Sequence, residues 1–402
     1  MIRKSLLAGL FTLLYSGLQL YAQERVMRLD PKMARGGTTG KIFETMEFIP
    51  LETTKASLFG KIDQLEVTDD YYIILDGATN CVLMFKKDGS FYKKIAGGSP
   101  DNYRNLIRHI TVDRNKRIIY VQRNMKPMRE GYDFNCNLIS KDSGIKDKFV
   151  STLLANGYLV ARHFYNRDNK KDSVINRIVI YKDSVITKGL LPLNSFGGPD
   201  ANTFTLATSQ MNLLRSEQDT VVYLSDYNEQ VIYRVTKDTA TTFLRFIFPL
   251  AQTVPLNAMR DSIGKQRPWE YFIKHPNYIS SIGNTAMIGN YLVFRLNTFS
   301  KPATMIMNLK TGNMIQLEKV STDSSSYFLP FATGNDWNNE GITQIDSGYL
   351  YCAAAASLMF SALESNTAYR QVTYPDHLKQ FFKKGKSSDN PVLIRFKLKD
   401  NL

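Results

Sequence analysis

The sequence predicts an all-β protein, a six-bladed β-propeller of four-stranded antiparallel blades closed by an N-terminal strand in the last blade. Three observations carry this. Residues 60–95 read as four short β-rich runs divided by Asp/Gly turns. The pattern returns at 213–238, where Asp226, Val235 and Asp238 keep the spacing of Asp76, Phe85 and Asp88. Weaker copies between and after these make six units. One four-stranded sheet cannot bury both of its faces, so such a unit needs copies stacked beside it.

In chain order, Arg3-Lys4, an apolar stretch from Leu6 to Leu14, then small and polar residues up to Ala22 have the order of a secretory signal peptide. That stretch is too short for a membrane span, and no other run is long and apolar enough. No Cys lies near Ala22, so a lipoprotein anchor is not expected. Polar residues 23–40, with Pro31 and Arg35-Gly36-Gly37, read as a flexible leader. Residues 41–51 then alternate as a strand, with Pro50 suited to its end.

The template blade runs through Ile62, Leu65 and Val67, then Tyr72 to Leu75, Val82 to Phe85, and Phe91 to Ile95. Aligned on the end of the second strand, the units place Asp76, Gln122, Arg162, Asp226, Arg295 and Ala353 in register, about 40 to 70 residues apart. Longer intervals call for insertions. Residues 249–282, with Pro249, Pro255, Pro268 and Pro276 and a short helix over 257–263, read as a crossover loop or lid. Residues 354–386 read as two helices, Ala354 to Leu363 and Asp376 to Lys384, the second starting after Pro375. The whole of 41–402 is one domain. Its final strand, Val392 to Leu398, shares a sheet with strand 41–51, and the ring keeps no open edge.

Composition narrows the function. Hydrophobic residues are 43% and charged residues 22% of the chain, both ordinary for a globular protein, so disorder is not the leading reading. The 22 Tyr and 23 Phe suit strands. The formal charge is +14, but Lys and Arg are spread along a chain that is read as exported, so nucleic acid is not the expected partner. A solvated basic surface accounts for the charge, as does attraction to anionic glycans or lipid headgroups. Cys81, Cys136 and Cys352 are too few and too far apart for a disulfide framework.

Phe48-Ile49-Pro50-Leu51-Glu52-Thr53-Thr54, the Leu75-Asp76 and Lys87-Asp88-Gly89 pair, and Asn390-Pro391-Val392-Leu393-Ile394 resemble the exported six-bladed β-propeller proteins of the Bacteroidetes, relatives in architecture of NHL-repeat propellers. The resemblance spans roughly 41–400, and its opening and closing segments are its most specific parts. It implies a six-bladed ring and an envelope or extracellular location. It implies no reaction and no catalytic residue. The sequence departs from it in the second and third blades, where Asp76 faces Gln122 and Arg162, and in 135–148, which has no counterpart in the first blade.

No nucleophile elbow, zinc-binding helix motif or phosphate loop is present, and no cofactor or metal is expected. The four histidines, His109, His163, His275 and His377, include no local metal pair. Folding could turn His109 or His163 to a channel, and the simpler reading of each is a satisfied or exposed histidine. The strand-end residues Asp76, Asp226, Arg162 and Arg295 form a candidate polar ring at one mouth, in which the arginines would hold a carboxylate or sulfate. The simpler reading has Asp76 and Asp226 fix their own turns. Trp337, with Asp336 and Glu340, has the chemistry of a sugar subsite, an aromatic face among hydrogen-bonding groups. It serves equally as a loop anchor, and the same holds for Trp269. Two functions suit this sequence: a non-catalytic binding or scaffold propeller at the envelope, for a glycan, peptide or protein, and a propeller-type carbohydrate hydrolase or lyase with a site drawn from several blades. Two facing carboxylates in a pocket would mark the second.

Overall fold

The computed structural model describes residues 25–124, 128–142, 149–163, 176–192, 213–225, 230–255, 268–331 and 341–402. Three N-terminal strands, β1 (Val26–Arg28), β2 (Arg35–Thr38) and β3 (Phe43–Pro50), precede the blades. The first blade is β4 (Gln64–Val67), β5 (Tyr71–Asp76), β6 (Cys81–Lys86) and β7 (Phe91–Ala96), the four runs of the template. The second holds β8 (Ile107–Asp113), β9 (Ile118–Arg123), β10 (Arg129–Asp133) and β11 (Leu138–Asp142). The third holds β12 (Phe149–Leu153), β13 (Tyr158–His163), β14 (Asn176–Lys182) and β15 (Val185–Pro192). The fourth has β16 (Val222–Ser225), β17 (Val231–Val235) and β18 (Ala240–Ile247), and residues 213–217 run along the axis ahead of it. The fifth has β19 (Ile279–Ile288), β20 (Tyr291–Thr298), β21 (Ala303–Asn308) and β22 (Met314–Ser321). The sixth has β23 (Gln344–Asp346), β24 (Tyr349–Ala354) and β25 (Val392–Leu398).

The sixth blade is completed by β3, in the order β23-β24-β25-β3. Val392 pairs with Pro50, and the antiparallel ladder runs to Leu398 against Phe43. This is the six-bladed, N-terminally closed ring that the sequence predicts. Aromatic packing holds the closure: Phe43 stacks at 4.6 Å on Phe396, and Phe48 and Phe396 are buried completely. Burying one such ring contributes about 1.5–3 kcal/mol.

The structure differs from expectation in residues 25–40. They form β1, added parallel to β18, and β2, added parallel to β22, so they cover the outer edges of the fourth and fifth blades. Asp323 then clasps the following turn, accepting from Thr39 Oγ1 at 2.8 Å and Gly40 N at 3.0 Å. Short strands with two glycines lack the alternation that marks a strand, and pairing to a waiting edge supplies it instead. A second difference is that β19 starts at Ile279, inside the span expected as an insertion. Within that span the helix Pro268–Lys274 is present, and the helix expected over 257–263 lies outside the described residues. In the other insertion the helices are Ala356–Tyr369 and Asp376–Lys384. None of the described helices is long and apolar enough to cross a membrane. Cys352 is buried, Cys81 and Cys136 are half-buried, and none of the three forms a disulfide.

Candidate functional site

Around the axis each blade is joined to the next by a hydrogen bond. Gln64 donates to Ile110 O at 2.7 Å and accepts from Ile110 N at 3.0 Å, which ties the first blade to the second. His109 Nε2 lies 2.7 Å from Ser151 O, and Thr111 Oγ1 lies 3.1 Å from Ser151 Oγ, in the third. Ala155 N donates to Asp219 O, Thr285 Oγ1 to Tyr223 O, Asn284 Nδ2 to Ile342 O and Gln344 Nε2 to Leu65 O, which completes the circle. Burial pushes His109 down to about 4, so the ring is neutral and structural at neutral pH.

The axis itself is crossed by an ion pair. Arg215 Nε stands 3.4 Å from Glu66 Oε2, between the fourth blade and the first opposite it. Arg215 Nη2 also donates to Val112 O at 3.0 Å, and its backbone N donates to Gln344 Oε1 at 3.2 Å. Burial raises the Glu66 carboxyl above its ordinary range, against the pull of Arg215 and Arg114. Beside this pair Arg114 binds Asp346 of the sixth blade. These charged groups meet near the centre of the ring, where the carboxylates of Glu66 and Asp346 each face an arginine.

The strand-end residues fall as follows. Asp76 is fully buried and accepts from Thr79 N at 3.0 Å, Thr79 Oγ1 at 2.5 Å and Lys61 N at 3.4 Å, so it fixes the β5–β6 turn. Arg162 on β13 and Arg295 on β20 are buried, at 4% and 7% exposure, and sit in blades three and five with blade four between them. Glu318 lies within electrostatic reach of Arg295. His163 ends β13, but its side chain lies outside the described residues. Asp226, Asp336, Trp337 and Glu340 also lie outside them.

A different group of residues comes together at the seam between the last blade and the first. Asn390 is fully buried, and its Nδ2 donates to Glu52 O at 2.9 Å and Ser57 O at 3.0 Å. Its Oδ1 accepts from Phe59 N at 3.0 Å, and its own N–H donates to Thr53 Oγ1 at 2.9 Å. One side chain thus fixes the loop between β3 and β4. The β6–β7 turn closes on the same loop: Glu52 N donates to Gly89 O at 2.9 Å, and Phe91 N donates to Glu52 Oε2 at 2.7 Å. Gly89 has φ +86, and a Cβ there would lie 2.2 Å from Pro50 O, so only glycine fits this approach. The opening, turn and closing segments singled out in the sequence therefore meet at one place.

Over that seam lies a cavity of about 400 Å³, walled on one side by Pro50, Leu51, Glu52 and Asp88 and on the other by His377, Phe381, Lys384 and Asp389. This is within the roughly 300–1,000 Å³ of small-ligand sites. The far wall is the helix Asp376–Lys384, anchored by buried Leu378 and by His377 Nε2, 3.0 Å from Phe48 O. Each carboxylate is held by one oxygen. Glu52 uses Oε2 on Phe91 N, Asp88 uses Oδ1 on Ser90 N at 2.8 Å, and Asp389 uses Oδ2 on Lys386 N at 2.8 Å. Among the described residues, their second oxygens have no hydrogen-bond partner. The Ser90 hydroxyl and N–H hold Asp88 below the ordinary carboxylate range, so it is ionised at neutral pH. An apolar wall with fixed, ionised acceptors receives a ligand that has several donors and one apolar face.

Sequence reasoning missed this cavity, because its lining comes from segments far apart in the sequence, at 50–53, 88 and 377–389. The available signal was polar: Glu52 and Asn390 stand inside the two motifs that flank the closing strands.

Across 93% of this chain and 100% of the other, the fold is similar to the crystal structure of a Bacteroides fragilis protein described as exported, at 16% identity and a TM-score of 0.71. A DUF4221 family member from Bacteroides vulgatus is similar over 89% of this chain and 97% of its own, at 10% identity and a TM-score of 0.46. Virginiamycin B lyase from Staphylococcus aureus is similar over 77% and 81%, at 11% and a TM-score of 0.41. The first of these likenesses supports the propeller fold, and none carries a function. No curated protein matches the sequence. A family model matches residues 38–397, nearly the whole ring, and the chain belongs to that family, a domain of unknown function designated DUF4934.

Proposed function

We propose that this chain is an exported, non-catalytic binding propeller of the cell envelope whose ligand, a glycan, docks in the cavity at the ring seam. One observation carries the reading: three carboxylates, Glu52, Asp88 and Asp389, are each pinned by a backbone N–H and keep a second acceptor oxygen beside an apolar wall that includes Phe381. Sugar hydroxyls are donors, and a pyranose C–H face packs on apolar surface. Export is supported by the order of residue types in 1–22 and by the description of the Bacteroides fragilis relative.

A glycan array on the mature protein, followed by titration of the best ligand, tests this. Glu52→Gln with Asp389→Asn is expected to weaken binding at least about tenfold, since each lost charge-assisted bond contributes about 1.5–3 kcal/mol. Unchanged binding in that double variant would reject the cavity. The second reading, a carbohydrate hydrolase or lyase, is favoured by His377 lining the same cavity as the three acids. A reducing-sugar release assay on the same ligand separates the two, because turnover rejects the non-catalytic reading.

A further inference from the structure

Charged groups crowd the region between the first and last blades. Arg114 is paired with Asp346, and Arg395 holds Glu47 Oε2 through Nε at 3.0 Å and Nη2 at 2.8 Å. Glu66 faces Arg215. Lys87, in the β6–β7 turn, is left over. Its ammonium lies 4.4 Å from the centre of the Tyr72 ring, half-buried, and forms no ion pair among the described residues. A cation over an aromatic face gains about 0.5–2 kcal/mol, but the charge is not neutralised.

Two buried donors near it are also unused. Tyr72 is fully buried, yet its Oη has no hydrogen-bond partner, and neither does the buried Nε of Arg114. Asp346 and Arg395 lie within electrostatic reach of both Tyr72 and Lys87, and Arg114 lies within reach of Lys87. Native structures seldom leave such groups unpaired without a reason, and an absent ligand is one. Burial pushes the Tyr72 phenol up to about 12, which keeps it a donor, and pushes Lys87 down to about 8.

We propose that the region between the first and last blades holds an oxyanion site, in which Lys87 Nζ, Tyr72 Oη and Arg114 Nε bind one sulfate, phosphate or carboxylate group. The ligand pairs with the Lys87 ammonium and satisfies both orphaned donors. The site is separate from the seam cavity, whose charged lining is Glu52, Asp88, Asp389 and Lys384. Binding needs the charged amine. The groups that face Lys87 are Asp346 and Asp69, which favour the charge, and Arg395 and Arg114, which oppose it. Affinity is therefore full below about pH 8 and falls about tenfold per pH unit above it.

The test uses the full chain and three probes, sodium sulfate, phosphate and acetate, with chloride at matched ionic strength as the control. Thermal unfolding and calorimetric titration are read from pH 6.5 to 9.5, a range chosen to span that point (~8). A stabilisation by at least one probe beyond chloride is expected. It is lost in Lys87→Met, kept in Lys87→Arg, weakened about fivefold or more in Tyr72→Phe, and lost toward the alkaline end. Circular dichroism confirms that each variant folds. The seam double variant Glu52→Gln with Asp389→Asn is expected to keep the response, which separates the two sites. A folded Lys87→Met that still responds overturns the proposal. So does a wild-type protein that responds to none of the probes, or a response abolished by Arg162→Ala plus Arg295→Ala instead.

Discussion

His109 is buried at 5% exposure with its Nε2 against Ser151 O, and no acid stands among the groups that set its protonation. An unfolded histidine takes its proton near 6.5, and this one does so near 4. Between those values the unfolded chain binds more protons, so stability falls as pH drops through the window and is fully present above it. The loss reaches about 3 kcal/mol near the lower end. Urea unfolding from pH 7 to 4.5 checks this: the advantage of the wild type over His109→Gln is expected to shrink with falling pH. At this scale the sequence was partly legible. Asp76 fixes its turn, as a strand-end Asp before Gly does. Glu66 and Arg215 carried no local sign of their pairing, because an ion pair across the axis depends on where two distant blades put their inner faces.

Strand β3 is the element on which the ring depends. It contributes a full edge to β25, and Phe43 and Phe48 to the core beneath. Deleting 41–51 leaves β25 with an open, apolar edge, which templates association with other chains. The expected outcome is an aggregating protein without a cooperative unfolding transition, read by size-exclusion chromatography and circular dichroism. A soluble, cooperative deletion variant would refute closure by β3. The closing strands were legible because both alternate and both carry strong β-formers. The segment β1–β2 was not, since Val26–Arg28 and Arg35–Thr38 are held by the edges they meet. The seam cavity escaped notice for a related reason. Its acids belong to a loop, a turn and the end of a helical insertion, each ordinary by itself.

At the scale of the molecule, the hydrogen bonds around the axis and the shared sixth sheet make every blade depend on two neighbours. A linear repeat array unfolds from its ends, whereas a closed ring has none. Unfolding followed by far-ultraviolet circular dichroism and by tyrosine fluorescence is therefore expected to give coincident transitions. Separate midpoints would mean that blades unfold singly. The number of blades was legible because the repeat was written twice clearly and four times faintly. The ion pair across the axis was not, since no repeat position encodes Arg215.

Phe59 and Asn390 bond across 331 residues of chain. A polypeptide delivered from its N-terminus makes β3 among its first segments and β25 among its last. Until β25 arrives, β3 has no strand to pair with, and its apolar face stays in solvent. Contacts this distant form slowly, and unpaired strands invite association. Ring closure thus waits for β25, and the interval before it is the one in which β3 is most exposed to association.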